Sequence, residues 1–358
     1  MLSPFHGIYL QRCFDLAHFG VGNTSPNPSV GAVIVHKNKI IGEGWTSKFG
    51  GNHAEVNAVA SVSNDSRHLL SQSILFVSLE PCFHFGKTPP CVDLVLREKI
   101  PQVVIAFSDP NPKVAGQSIT KLRANGVDVM FYNFNVKYNS NISLSKIVPL
   151  KSFFTNILRQ TPYVILKWAE SADGFIGKKD QRVSVSNPMA QRLVHKWRSE
   201  CDAIMVGTNT AKVDNPALTN RLYFGKSPVR IVLDKHLKLP KDKLIWDKNA
   251  KTIVFTEGVV SENSHLNAAH IKIENIAFND DLIENILGIL MKQNIGILLV
   301  EGGSILLNTF IEKGLWNEAR IIKSPILLRG DVCAPKMPAE YFVENYNIGD
   351  NQVCVYQK

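Results

Sequence analysis

The chain lacks the marks of several protein classes. Between Met1 and Asp15 no basic stretch precedes an apolar core, so the start does not read as a secretory signal peptide. Its longest apolar runs, such as Ile295 to Val300, fall far short of the ~20 residues that a spanning helix needs. Six cysteines, Cys13, Cys82, Cys91, Cys201, Cys333 and Cys354, are too dispersed over 358 residues to form a disulfide framework. There is no block of one charge sign, no internal repeat and no low-complexity tract. These absences lead us to expect a cytoplasmic protein with no membrane partner.

What is present is ordinary globular composition, 45% hydrophobic and 20% charged. The length suits two domains, each able to bury a core. The net charge of +9 favours acidic partners such as a phosphorylated small molecule or nucleic acid. Its even spread reads mainly as solvated surface.

Strand and helix signals alternate through the first half, an α/β layered pattern. Ser29 to Val35 and Ile40 to Trp45 read as strands around a hairpin turn at His36 to Lys39. His53 to Val62 reads as a helix, Ile74 to Leu79 as a buried strand, and Cys91 to Lys99 as a helix with proline at its start. Val103 to Phe107 and Val127 to Tyr132 are further strands, with a helix between them that stops at Asn125-Gly126. The polar stretch Asn133 to Ser145 suggests a boundary, giving domains 1–146 and 147–358.

In the second half Tyr163 to Ala169, Ala203 to Gly207, Val229 to Asp234, Thr252 to Thr256 and Ile295 to Val300 read as strands. Pro188 to Ser199, Asp281 to Gln293 and Ser304 to Gly314 read as helices. Glu257 to Asp280 carries no clear pattern.

The sharpest chemical signal is His53-Ala54-Glu55, followed by Pro81-Cys82 and Cys91. One imidazole and two thiolates give zinc three ligands and leave a fourth position for water, whose pKa bound zinc lowers to about 7. Glu55, two residues from His53, is placed to move protons between water and a leaving amine. Zinc deaminases of nucleobases carry a related H-x-E…P-C-x-x-C pattern, although here eight residues separate the cysteines. A purely structural zinc site, with His84 as fourth ligand, is the competing reading.

In the second half, Tyr163 to Gly174 delivers Lys167 on an apolar strand and then turns through Asp173-Gly174. Arg198, Thr208 to Thr210 and Asp214 to Arg221 follow, and Glu301-Gly302-Gly303-Ser304 links a strand to a helix. Paired glycines before a helix N-terminus suit close approach of a phosphate, but G-x-G-x-x-G is absent and a Rossmann fold is unsupported.

Taken together, Asn23 to Gly31, His53-Ala54-Glu55, Glu80-Pro81-Cys82, Gly86 to Cys91 and Asp109 to Gly116, with the second-half set in order, resemble the bifunctional enzymes of bacterial riboflavin biosynthesis. The likeness runs from about Tyr9 to about Leu328, and the eight-residue cysteine spacing is typical of that family. The resemblance implies a cytidine-deaminase-like α/β/α domain followed by a dihydrofolate-reductase-like α/β domain. It assigns one zinc to His53, Cys82 and Cys91, proton transfer to Glu55, and deaminase substrate contacts to Asn27, His84, Lys87, Asp109 and Asn111. For the reductase half it implies substrate contacts from Lys167, Arg198, Leu218, Arg221 and Glu301. NADPH contacts fall to Ser171, Thr210, Asp214, Gly303 and Ser304. Arginine forks suit the substrate's phosphate.

The implied chemistry is deamination of a diaminopyrimidinone ribosylamino 5′-phosphate, then NADPH-dependent reduction of the ribosyl group to ribityl. The partners implied are small molecules and, by family habit, further copies of the chain. Departures from the family pattern are Thr46, Phe83, Phe85, Lys151 and Arg182. Two other readings remain: a nucleic-acid base deaminase, which the cysteine spacing and second domain oppose, and an inactive phosphoribosyl-ligand binding protein, which Thr46, Phe85 and Arg182 permit.

Overall fold

The computed structural model describes residues 4–86, 89–112, 114–132, 148–262 and 264–358. Contacts divide the chain into two units, Met1–Gln160 and Thr161–Lys358.

The first unit is built on a five-stranded sheet. Its strands are β1 (Gly31–His36), β2 (Lys39–Trp45), β3 (Ile74–Leu79), β4 (Gln102–Phe107) and β5 (Asp128–Phe131), in the order β2-β1-β3-β4-β5. The expected hairpin joins β1 to β2: His36 pairs with Lys39, and Lys37 and Asn38 both take positive φ, as a two-residue primed turn requires. β1 runs antiparallel to β2 and β3, whereas β3, β4 and β5 are parallel. Val33, Phe76, Val77 and Val104 are fully buried in this sheet. Each apolar side chain so buried contributes about 1.5–3 kcal/mol.

Helices α1 (Pro4–Gly20), α2 (Ala54–Ser61), α3 (Cys91–Arg97), α4 (Gln117–Ala124) and α5 (Val148–Arg159) complete the unit. Helix α2 lies close on β2 because Gly44 lacks a side chain: a Cβ there would meet the Ala58 nitrogen at 2.3 Å. The expected boundary at 146/147 lies on residues outside the described set. The contact division comes later, after Gln160, because α5 packs on the first core. Leu150 is buried there, and the Phe154 ring meets Phe107 edge-on at 5.9 Å.

The second unit carries a nine-stranded sheet of β6 (Tyr163–Glu170), β8 (Ala203–Val206), β9 (Val229–Leu233), β10 (Thr252–Thr256), β11 (Ile271–Asn275), β12 (Ile297–Val300), β13 (Glu318–Lys323), β15 (Phe342–Ile348) and β16 (Asn351–Gln357). Their order is β11-β10-β9-β8-β12-β6-β13-β16-β15, with β7 (Phe175–Gly177) and β14 (Val332–Cys333) as a separate pair. From β11 to β13 all neighbours are parallel; β16 and β15 add antiparallel edges.

Helices α6 (Pro188–Glu200), α7 (Thr208–Val213), α8 (Leu282–Lys292) and α9 (Ser304–Glu312) connect strands. Proline opens α6, and the Asn187 side chain caps it by accepting the Ala190 amide at 2.7 Å. Among the described residues no helix is long and apolar enough to cross a membrane.

Candidate active sites

In the first unit two helix N-termini and one strand end meet at a cavity of about 390 Å³. His53 caps α2 with extended backbone, Cys91 begins α3, and Cys82 follows β3 by three residues. The His53 Nδ1 atom lies 3.4 Å from each of the Cys82 and Cys91 Sγ atoms. Tetrahedral zinc with ordinary Zn–S and Zn–N bonds would hold such atoms about 3.6 Å apart, so the donor set fits the ion. The Cys91 amide donates to Cys82 Sγ at 3.2 Å, a helix N-terminus favouring thiolate. A hydrogen bond from the Cys91 thiol, followed by one from His53, holds the Cys82 thiol well below its ordinary range.

Among the described residues, His53, Cys82 and Cys91 are the one group arranged to share a metal. His84 stands on the cavity wall outside that group, which disfavours a closed four-ligand site. Glu55, in the first turn of α2, is buried and also faces the cavity. Burial, with the neighbouring Cys82 charge, pushes its carboxyl up to about 7.

Asn27, Asp109 and Asn111 join His84 on the wall, while Lys87 lies outside the described residues. Burial raises the Asp109 carboxyl, and Asp109 Oδ1 accepts the Asn111 amide at 2.8 Å. Thr46, one of the departures, is buried at the lining and accepts the Val30 amide at 3.0 Å, so it braces the loop before β1. Phe83 packs against the core, and Phe85 is exposed.

Two contributions escaped the sequence reading. Glu80 accepts from the Ser118 hydroxyl at 2.6 Å, the Gly116 amide at 2.9 Å and the Asp109 amide at 3.2 Å. It thereby ties Asp109 and Gly116, the two ends of that loop, to the end of β3. Its signal was a carboxylate ending an apolar strand beside Pro81-Cys82. Phe153 and Ile157 of α5 also line the cavity, and the apolar spacing Leu150, Phe153, Phe154, Ile157 could have revealed that helix.

The second unit holds a cavity of about 310 Å³ at the carboxyl ends of its parallel strands, where open α/β sheets bind ligands. Val300 pairs with both Leu166 and Met205, so Glu301 and Lys167 leave adjacent strands at one level. Arg198 Nε and Nη2 each bond a Glu301 oxygen at 2.7 Å, and Lys167 Nζ stands 3.9 Å away. Burial alone would raise the Glu301 carboxyl; Arg198 and Lys167 outweigh it and bring it to about 2. The Arg198 fork, expected to grip phosphate, is therefore engaged with Glu301, whereas Arg182 and Arg221 are exposed at the cavity edge.

Thr210, Asp214 and Leu218 also line this cavity, and burial raises the Asp214 carboxyl. Gly303 abuts Thr210: a Cβ on Gly303 would meet Thr210 Oγ1 at 3.0 Å. Gly303, the N-cap of α9, has no side chain to cap it, so the first-turn amides suit an anion such as the phosphates of a dinucleotide. Two expected cofactor residues have other partners. Ser171 donates to Asp173 Oδ1 at 2.6 Å within a turn, and Ser304 donates to the Cys333 carbonyl at 3.0 Å. Neither belongs to the cavity lining.

Fold and donor set thus define a zinc-deaminase type of unit followed by an α/β unit with a basic ligand cavity. Comparison with known proteins agrees. Residues 6–107 match the cytidine and deoxycytidylate deaminase zinc-binding region, and residues 162–353 match the RibD C-terminal domain. The chain is 35% identical to the riboflavin biosynthesis protein RibD of Bacillus amyloliquefaciens, covering 93% of this chain and 88% of that protein. It is 37% identical to RibD of Actinobacillus pleuropneumoniae, covering 90% and 84%. A crystal structure of the diaminohydroxyphosphoribosylaminopyrimidine deaminase/5-amino-6-(5-phosphoribosylamino)uracil reductase of Thermotoga maritima superposes with a TM-score of 0.85 at 31% identity, covering 99% and 98%. The chain belongs to the RibD family of riboflavin biosynthesis proteins.

Proposed function

We propose that this chain catalyses both reactions named for the Thermotoga maritima protein. The first unit replaces the ring amine of 2,5-diamino-6-ribosylamino-4(3H)-pyrimidinone 5′-phosphate with oxygen from water and releases ammonia. The second reduces the resulting 5-amino-6-(5-phosphoribosylamino)uracil to its ribityl form, taking hydride from NADPH and a proton from solvent. The observation carrying this reading is the three-ligand cluster beside a buried carboxylate, in a chain that also holds a basic cavity at strand ends.

His53, Cys82 and Cys91 would hold zinc, which supplies Lewis-acid activation of water at neutral pH. Glu55 takes a proton from the attacking water and returns one to the departing amine. Asn27, His84, Asp109 and Asn111 orient the pyrimidine and ribose on the cavity wall, and Lys87 pairs with the phosphate.

In the second unit Lys167, Leu218 and Glu301 form the substrate side, with Arg198 holding Glu301 in place. Arg221, exposed and held through one nitrogen by Thr219 Oγ1, offers its remaining N–H groups to phosphate, and Arg182 adds positive charge at the same edge. Thr210, Asp214 and the Gly303 turn form the cofactor side, to which Ser171 and Ser304 are also assigned. NADPH supplies the hydride.

We read the protein as a cytoplasmic homo-oligomer acting on small molecules. Four cysteines outside the metal cluster, none joined in a disulfide, suit a reducing compartment. The test is mass spectrometry of the diaminopyrimidinone phosphate after incubation with zinc-loaded protein. Deamination without NADPH and a further hydride gain with it are expected; an unchanged substrate under both conditions, with folded protein, would overturn the reading.

A further inference from the structure

The α6 helix carries a histidine that the chemistry above leaves unused. His195 lies three residues before Arg198, so both project from one face. The imidazole is buried yet lines the basic cavity. Its Nδ1 accepts the backbone N–H of Arg221 at 2.9 Å. Close by, Arg198 Nη1 donates to the Thr219 carbonyl at 3.3 Å, and Arg221 Nη1 donates to Thr219 Oγ1 at 2.8 Å. The segment 218–221 is thus tied to α6 at two neighbouring points. It begins at Leu218, a buried leucine with φ of 51°. A non-glycine residue holds that left-handed conformation only where its surroundings over-determine it.

We propose that His195 is a positioning residue for the reductase substrate: by accepting from the Arg221 amide, its Nδ1 sets the loop that aims Arg221 at the substrate phosphate. The inference rests on the reductase reading of this cavity. The role needs a neutral ring with its proton on Nε2. Burial, Arg198 on the same helix and Arg221 on the loop bring the pKa to about 4, against Glu301 after β12 and the Asn220 side chain, which favour the proton. Lys167 on β6 and Arg182 line the same cavity and add no acceptor. A protonated ring would donate at Nδ1, lose the Arg221 amide and add a cation beside two guanidiniums.

Two substitutions separate this role from simple packing. Asparagine places Oδ1 near the position of the ring Nδ1, whereas glutamine places Oε1 near that of Nε2. His195→Asn should keep KM for the phosphoribosylaminouracil within about threefold of wild type, and His195→Gln should raise it about tenfold, with kcat and KM for NADPH little changed. Affinity for ribose 5-phosphate, measured by calorimetry, gives a readout without turnover and should weaken for the glutamine variant alone.

Wild-type protein that neither reduces the uracil nor binds ribose 5-phosphate would overturn the reading of the cavity. Wild-type protein that binds, with both variants affected equally or neither affected, would overturn the role of Nδ1. If the glutamine variant does not fold, the pH dependence of the wild-type to asparagine affinity ratio decides. That ratio should fall as pH drops towards about 4, where the imidazole protonates; a ratio flat with pH would overturn the proposal.

Discussion

The two cavities each bury a carboxylate and treat it in opposite ways. In the first unit Glu55 is enclosed with a thiolate nearby; His53, a backbone amide and the Cys91 side chain favour its charge too weakly to offset burial, which pushes it up to about 7. In the second, Glu301 is largely enclosed as well, but Arg198 and Lys167 bring it to about 2. Neighbouring cations, more than depth, decide whether a buried acid can exchange protons at neutral pH or stays a fixed charge. The first arrangement suits a step in which a proton must move twice. The second suits a rigid polar platform against which a phosphorylated substrate and a cofactor can be aligned.

That contrast can be broken at either end. The largest effect is expected from stripping zinc with a chelator. Deamination should be lost and regained on adding zinc, while NADPH oxidation with the deaminated uracil continues; parallel loss of both activities would show that the units are not separable.

Next comes Arg198→Ala. It leaves Glu301 buried with only Lys167 near, and breaking such a pair costs about 3–5 kcal/mol. Thermal or denaturant unfolding should register this in the second unit, together with a slower reductase; a variant as stable as wild type would mean that the fork contributes little.

The pH dependence follows from the same pair. Because the folded state lowers the Glu301 pKa to about 2, its contribution is fully present above the ordinary glutamate range and is lost as pH falls through about 2. Acid unfolding of Glu301→Gln should therefore be less steep than that of wild type, and identical acid profiles would remove Glu301 from the account.

The smallest effect is assigned to Ser118→Ala. It removes the 2.6 Å bond to Glu80 that helps hold the Asp109–Gly116 loop. The cost should be about 1–3 kcal/mol, with a raised deaminase KM and an untouched reductase; unchanged deaminase kinetics would mean that the loop needs no such anchor.

The same contrast explains what could be read from sequence. The zinc cluster was legible because its ligands sit at the starts of two helices and just after a strand, positions that His53, Pro90 and the apolar run Ile74–Leu79 announce. The hairpin at Lys37-Asn38 and the proline-started α6 were legible for the same local reason. By contrast, the Arg198–Glu301 pair spans 103 residues, and no spacing rule says that one guanidinium will spend its fork on a carboxylate while another stays exposed at the cavity edge. Family resemblance brought Lys167, Arg198 and Glu301 together; only the register of β6, β8 and β12 explains why they meet.

Elsewhere the pattern was present and went unread. Helix α5 has apolar residues at helical spacing, but the polar tract before it drew attention to a boundary. Strand β11 lies in a stretch rich in Asn, Glu and Lys, where its five residues are only partly buried or exposed. The antiparallel pair β15 and β16 turns at Gly349-Asp350, a hairpin signal flanked by strands whose outer residues are largely polar.

The central claim is that one chain holds two chemically separate sites acting in order. It is tested most directly by Glu55→Gln, which keeps the shape of the side chain and removes the proton carrier. Removing a general acid–base group of this kind should slow deamination about 10²–10⁴-fold. Supplied with NADPH, the variant should reduce the deaminated phosphoribosylaminouracil at the wild-type rate and leave the undeaminated pyrimidine phosphate unchanged. Normal deamination by Glu55→Gln, or reduction of the undeaminated substrate, would contradict the account.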